Sequence, residues 1–141
     1  MSIQNYKLID TINVLGVPVT TFPHGIGDVF ESLMRLLPDG SQRSYYGISN
    51  MEDDHISYIA AAEEKNENEA KIYRCNRYVI ESGKYLTIHV NEWRKKTDSI
   101  KDVFHELMQD PRTDKSKPCI EWYKNDEVML CMMQVDKTQR L

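Results

Sequence analysis

One pattern of apolar positions occurs twice along the chain. Residues 26–34 and 100–108 each place Ile, Val, Phe, Leu and Met at i, i+3, i+4, i+7 and i+8, with a constant offset of 74 residues. This spacing forms a single apolar stripe on a helix. It predicts helices at about 26–37 and 99–109. The recurrence of one stripe at half the chain length indicates two copies of one supersecondary unit.

Strand-like segments surround both predicted helices. They are rich in β-branched and aromatic residues and are separated by turn residues. The predicted strands lie at about 6–22, 44–48, 56–60, 77–90, 119–123 and 128–135. Gly16 and Pro18 interrupt the first segment, so we expect a bulge or a bend there. Each half of the chain therefore has the order strand, helix, strand, strand.

This order predicts an α+β protein of two βαββ repeats, with one long helix covering each antiparallel sheet. We expect one domain, residues 1–141, with repeat one at about 6–63, a charged connector at about 64–71 and repeat two at about 72–136. The uncovered sheet faces need a partner, which the repeats would supply by meeting about a pseudo-two-fold axis. A groove at that seam is a favourable place for a small-molecule site.

Charge and cysteine content narrow the class of protein. The 141 residues carry a net charge of −4, which gives no electrostatic support to direct nucleic-acid binding. No apolar run is long enough to span a membrane, and the start of the chain lacks the regions of a signal peptide. The three cysteines form no CxxC pair, so we expect reduced thiols in a cytoplasmic protein, although Cys119 and Cys131 could lie on neighbouring strands.

The sequence contains no motif for metal binding or nucleophilic catalysis. Its four histidines are scattered, without HxH or HExxH spacing, and no cysteine lies at ligand spacing from them. A G-x-S-x-G element and a phosphate-binding glycine loop are also absent. We therefore expect no metal and no cofactor, and an enzyme such as a small hydrolase is the least favoured class.

Glu121 is the strongest candidate for a functional residue. It lies in an apolar strand, where alternation places it on the same face as Cys119 and Tyr123. An acidic side chain there must face water or find a partner, because burying an unpaired charge is costly. The residue is either a pocket carboxylate that attracts a cation, or a glutamate that is exposed or paired internally.

Aromatic and apolar residues complete the candidate site. Alignment of the repeats makes Tyr46 and Ile48 the counterparts of Glu121 and Tyr123, and tyrosine rings suit stacking and cation–π contacts. Trp93 would cover the site or anchor its own loop. The methionine-rich last strand offers a deformable wall, although ordinary core packing is the commoner role of such a strand. The predicted ligand-binding residues are Glu121, Tyr123, Tyr46, Ile48, Tyr58, Trp93, Leu130 and Met132.

The chain resembles the GyrI-like effector-binding domain family. The resemblance rests on the two repeats, on the stretch VIESGKYLT at 79–87 before the second helix, and on KPCIEWY at 117–123 after it. It covers about residues 6–135. The family includes bacterial-type DNA gyrase inhibitory proteins and the ligand-sensing domains of AraC- and MerR-type transcription regulators.

The resemblance implies two βαββ repeats and a pocket in which aromatic rings and a buried acidic residue, here Glu121, bind hydrophobic or cationic molecules. Many relatives carry a second acidic residue where this chain has Leu130, and many regulators carry a DNA-binding domain that this sequence lacks. We therefore expect a stand-alone protein that senses or sequesters an amphipathic or cationic ligand. The alternative is a protein-binding modulator of a partner enzyme, acting through acidic patches at 52–54 and 63–69.

Overall fold

The computed structural model describes residues 2–52 and 54–137, so Asp53 of the predicted acidic patch lies outside the described residues. Its strands are β1 (Gln4–Leu8), β2 (Ile12–Pro18), β3 (Tyr45–Glu52), β4 (His55–Glu63), β5 (Asn76–Ile80), β6 (Gly83–Asn91), β7 (Cys119–Tyr123) and β8 (Val128–Gln134). Its helices are α1 (Ile26–Leu36), α2 (Glu69–Ile72) and α3 (Ile100–Gln109), with 3-10 turns at Gly40–Gln42, Trp93–Lys95 and Thr97–Ser99. None of the helices in the described ranges has the length and apolar character needed to cross a bilayer.

The α+β class predicted from the sequence is confirmed, but the two long strand-like segments each divide into two strands. The break between β5 and β6 falls before Gly83, whose φ of 135° lies in a region that favours glycine. The pairing of β2 with β4 is continuous from Val14 to Pro18, so no bulge occurs at Gly16. A Cβ at Gly16 would lie 2.5 Å from the carbonyl oxygen of Ala60, so this glycine allows β2 and β4 to approach closely.

The chain folds as two compact units, one formed by Met1–Asp10 with Glu81–Leu141 and the other by Thr11–Ile80. We call them the terminal unit and the middle unit. In the terminal unit the strand order is β1-β6-β8-β7, and all three pairings are antiparallel. Strand β1 of the N-terminal segment therefore pairs with β6, where Tyr6 lies opposite Tyr85.

Helix α3 closes one face of the terminal unit. Its stripe residues Val103, Phe104 and Leu107 are buried against an apolar cluster that includes Leu86 of β6 and Met133 of β8. Full burial of each such side chain contributes about 1.5–3 kcal/mol. The helix stripe seen in the sequence is therefore the surface that attaches α3 to its sheet.

The middle unit has the strand order β5-β2-β4-β3, again antiparallel throughout. Helix α1 packs on its sheet through Val29 and Phe30. These side chains contact Val19 and two residues of β4, Tyr58 and Ala60. Leu33, one turn further along α1, is 2% exposed. The same stripe thus attaches a helix to a sheet in this unit as well.

In both helices the buried surface is narrower than the apolar stripe in the sequence. Met34 and Met108, at i+8, are 40% and 37% exposed. At 3.6 residues per turn, position i+8 lies about 80° around the helix from position i, at the margin of the stripe. The last methionine of each pattern therefore borders solvent.

Candidate functional site

Glu121 lies in the middle of β7, on the sheet face that α3 covers. Cys119 and Tyr123, two residues before and after it, both belong to the apolar cluster beneath α3. Across the sheet, Glu121 is paired with Cys131 of β8. Glu121 is 9% exposed, so β7 holds a buried carboxylate on an otherwise apolar face.

Tyr123 connects this carboxylate to an aromatic pair. Its hydroxyl donates a hydrogen bond to Oε1 of Glu121 at 2.6 Å. Its ring meets that of Trp93 edge-on, with ring centroids 4.8 Å apart and planes at 66°. Glu121, Tyr123 and Trp93, three of the predicted site residues, therefore form one continuous series of contacts.

Trp93 connects the turn before α3 to the loop between β7 and β8 by two hydrogen bonds. Its indole Nε1 donates to the carbonyl oxygen of Asn125 at 2.9 Å. Its backbone N–H donates to the carbonyl oxygen of Glu127 at 3.3 Å. These are the contacts of a loop anchor, one of the two roles considered for this residue.

A residue that sequence reasoning missed completes the series. The guanidinium carbon of Arg94 lies 4.6 Å from the centroid of the Trp93 ring. Arg94 also donates to Oδ1 of Asp126 at 2.9 Å, and both side chains are mostly exposed. We call Glu121, Tyr123, Trp93 and Arg94 the contact chain. It runs from a buried carboxylate to an exposed cation.

Leu130 and Met132 lie on the opposite face of the same sheet. They alternate along β8 with Cys131 and Met133, which belong to the cluster under α3. Both are buried, at 2% and 3% exposure. The predicted residues of the terminal unit therefore divide between two sheet faces, with Glu121, Tyr123 and Trp93 on one and Leu130 and Met132 on the other.

The other predicted residues lie in the middle unit. Tyr58 stacks on Phe22 with ring centroids 5.1 Å apart, on the face under α1. Tyr45 meets Phe30 of α1 edge-on, so its strand neighbour Tyr46 faces away from that helix. Ile48 shares the face of Tyr46, and both are buried.

This face assignment differs from the alignment of the repeats. The alignment made Tyr46 the counterpart of Glu121, yet Glu121 faces its helix and Tyr46 faces away from its own. Tyr45 and Gly47 occupy the helix-facing positions of β3. A shift of one residue in a strand exchanges every side chain between the two faces, and the sequence alone does not specify that register.

The two thiols near Glu121 are poor nucleophiles. Burial raises the pKa of Cys119 to about 11, and the Glu121 carboxylate adds to the shift. Burial raises the pKa of Cys131 well above its ordinary value, and Glu121 and Cys119 raise it further. Thiolate is the reactive form of cysteine. This arrangement therefore disfavours covalent chemistry at either cysteine.

A depression of about 430 Å³ is lined by residues of the middle unit, and none of them belongs to the contact chain. Arg43 and Glu69 form a bidentate ion pair in its lining, with N–O distances of 2.8 and 2.6 Å. The backbone amides of Lys65 and Asn66 also donate to Glu69. The hydrogen bond from Arg43 lowers the pKa of Glu69 to about 2. The charges of Arg43 and Glu69 are thus used in a structural ion pair.

Two glutamates of the acidic patch expected at 63–69 are paired with arginines. The side chains of Glu69 and Glu64 are 6% and 4% exposed. Arg43 binds the first, and Arg77 binds the second at 2.7 Å. The paired carboxylates of Glu64 and Glu69 add little to an exposed acidic surface, whereas Glu67 of the same segment is exposed.

No protein-family model and no curated protein matches the chain, whereas several solved structures share its fold. An integron cassette protein from the mobile metagenome of Vibrio cholerae has a TM-score of 0.70 at 16% identity, with 95% of each chain covered. SAV2435 bound to tetraphenylphosphonium has a TM-score of 0.70 at 19% identity, covering 97% of this chain and 95% of its own. A candidate bacterial transcription regulation protein from Staphylococcus aureus MU50 has a TM-score of 0.60 at 17% identity, with 96% and 97% covered. These likenesses establish a shared α+β fold.

Proposed function

We propose that the chain is a small-molecule-binding protein of the GyrI-like type that senses or sequesters an amphipathic cation in the cytoplasm. In this proposal Glu121 supplies the negative charge, and the neighbouring rings supply apolar and cation–π contacts. The observation that carries it is the contact chain, in which a 9% exposed carboxylate is joined through Tyr123 to Trp93.

The internal layout of the two units supports the two-repeat part of the proposal. The terminal unit contains the series β6, α3, β7, β8, and the middle unit contains β2, α1, β3, β4. Both have the same order of hydrogen-bonded neighbours, β1-β6-β8-β7 in one and β5-β2-β4-β3 in the other. We interpret the units as two copies of one βαββ repeat, each with a fourth strand added at the same edge.

Electrostatics favours a cation over a neutral or anionic ligand. A charge–charge interaction is stronger beside a buried carboxylate than in water, because the local dielectric constant is lower. A cation over an aromatic face adds about 0.5–1 kcal/mol at an exposed site and about 2 kcal/mol where it is desolvated. SAV2435, which shares the fold, is bound to a large apolar cation, tetraphenylphosphonium.

The proposal is tested with two probes of nearly the same shape and opposite charge. Tetraphenylphosphonium and tetraphenylborate are titrated into wild type and Glu121→Gln, and binding is followed by calorimetry. We expect the wild type to prefer the cation, and Glu121→Gln to bind it at least tenfold more weakly, a loss of about 1.4 kcal/mol.

Asp102→Asn is the matched control, since it removes one exposed carboxylate from α3 of the same unit. It should leave the affinity for the cation within twofold. Equal binding of both probes, or an equal loss in the two variants, would contradict a specific role for Glu121.

A further inference from the structure

Both tryptophans of the chain carry a cationic side chain on their rings. Arg94 covers Trp93 at 4.6 Å, and Lys124 covers Trp122 at 5.0 Å. The two rings differ in what lies beyond them. Trp93 meets Tyr123, which binds Glu121, whereas Trp122 meets Tyr6 of β1 edge-on. The guanidinium of Arg94 therefore already covers the ring of Trp93, which contacts Glu121 through Tyr123.

The contacts of Arg94 are of a kind that a ligand can displace. Its side chain is 64% exposed, and that of its partner Asp126 is 88% exposed. A surface ion pair and an exposed cation–π contact are each weak. Trp93 itself is fixed more firmly, by its hydrogen bond to Asn125 and its edge contact with Tyr123. Displacement of Arg94 would thus open the Trp93 face and leave the ring in position.

We infer that Arg94 is an internal cation that competes with the ligand for the face of Trp93 and so determines the affinity of the site. The inference rests on the proposed function of Glu121. A ligand must offer a cation or an apolar face that binds Trp93 better than the guanidinium does. Small hydrophilic cations are therefore excluded, and large, weakly hydrated organic cations are selected.

The test is the affinity of Arg94→Gln for tetraphenylphosphonium, measured by calorimetry. Removal of one weak contact should tighten binding by about three- to tenfold. Lys124→Gln is the matched control, because it removes the same charge and a cation–π contact from the other tryptophan. Asp126→Asn removes the carboxylate that holds Arg94 and leaves the Arg94 charge in place. This variant should tighten binding by a smaller factor than Arg94→Gln.

A ligand-free measurement separates this inference from the proposed function. In a Trp122→Phe background, Trp93 is the single tryptophan, and Arg94→Gln should increase quenching of its fluorescence by acrylamide. If the wild type binds tetraphenylphosphonium while Arg94→Gln and Lys124→Gln match it in affinity, the inference is overturned and the proposed function stands. If neither wild type nor Arg94→Gln binds the cation, both are overturned.

Discussion

Two buried glutamates, Glu69 in the middle unit and Glu121 in the terminal unit, have similar exposure and different surroundings. They are 5% and 9% exposed. Glu69 accepts a bidentate pair of hydrogen bonds from Arg43 and further bonds from two backbone amides. Glu121 accepts a hydrogen bond from Tyr123, whose ring leads through Trp93 to the exposed Arg94.

The comparison shows that burial of a carboxylate does not by itself mark a functional site. Glu69 binds Arg43 and the backbone amides of Lys65 and Asn66, which lie just before α2. These contacts fix a loop. The hydrogen bond from Tyr123 links Glu121 through the aromatic rings to an exposed cation. Loss of the first carboxylate should therefore affect folding, and loss of the second should affect binding.

The largest effect is expected from Arg43→Met. The substitution leaves the Glu69 carboxylate buried without its cation, which costs about 3–5 kcal/mol of unfolding free energy. Urea denaturation measures the loss. Arg35→Met is the control, because Arg35 pairs with Glu31 on the exposed side of α1 and such pairs contribute about 0.3–0.5 kcal/mol. Similar losses in the two variants would contradict a structural role for the Arg43–Glu69 pair.

A smaller effect is expected from acid. The pKa of Glu69 is about 2 in the folded protein, below its ordinary value of 4.5. The unfolded chain therefore binds a proton first as pH falls, so the stabilisation present above pH 4.5 is lost progressively towards pH 2.

Urea unfolding at several pH values in that window measures the loss. Glu69→Gln should show a shallower decline than wild type. Asp110, whose pKa Arg112 also lowers to about 2, contributes in the same window and remains in the variant. Parallel declines of wild type and Glu69→Gln would show that Glu69 is not a source of acid sensitivity.

The smallest effect is expected from Tyr123→Phe, which keeps the ring against Trp93 and removes the hydroxyl that binds Glu121. A hydrogen bond to a charged group contributes about 1.5–3 kcal/mol. Affinity for tetraphenylphosphonium should fall severalfold, since the hydroxyl helps to orient the carboxylate, and calorimetry checks this. Tyr78→Phe, in the middle unit, is the control and should leave affinity unchanged. A fall of the same size in both variants would contradict an orienting role.

Local patterns in the sequence predicted the helices and part of the site. The paired stripes identified α1 and α3 because a helix buries residues at fixed angular intervals. Alternation along β7 grouped Cys119 with Tyr123 correctly, because side chains in a strand alternate between faces. These features depend only on residues close together in the chain.

Contacts between distant residues were not predictable in the same way. Arg43 and Glu69 are 26 positions apart, and no spacing rule relates them. The register that turns Tyr46 away from α1 depends on how β3 pairs with β4. Arg94 is adjacent to Trp93 in sequence, yet only the side-chain conformation places its guanidinium over the ring. Such features arise from tertiary packing.

The most direct test measures two quantities, affinity for tetraphenylphosphonium and unfolding free energy, in wild type, Glu121→Gln and Glu69→Gln. Glu121→Gln should lose at least tenfold in affinity with a change of unfolding free energy within about 1 kcal/mol. Glu69→Gln should lose stability and retain the affinity of wild type while folded. A Glu121→Gln protein that binds the cation as tightly as wild type would contradict the assignment of Glu121 as the ligand's anchor.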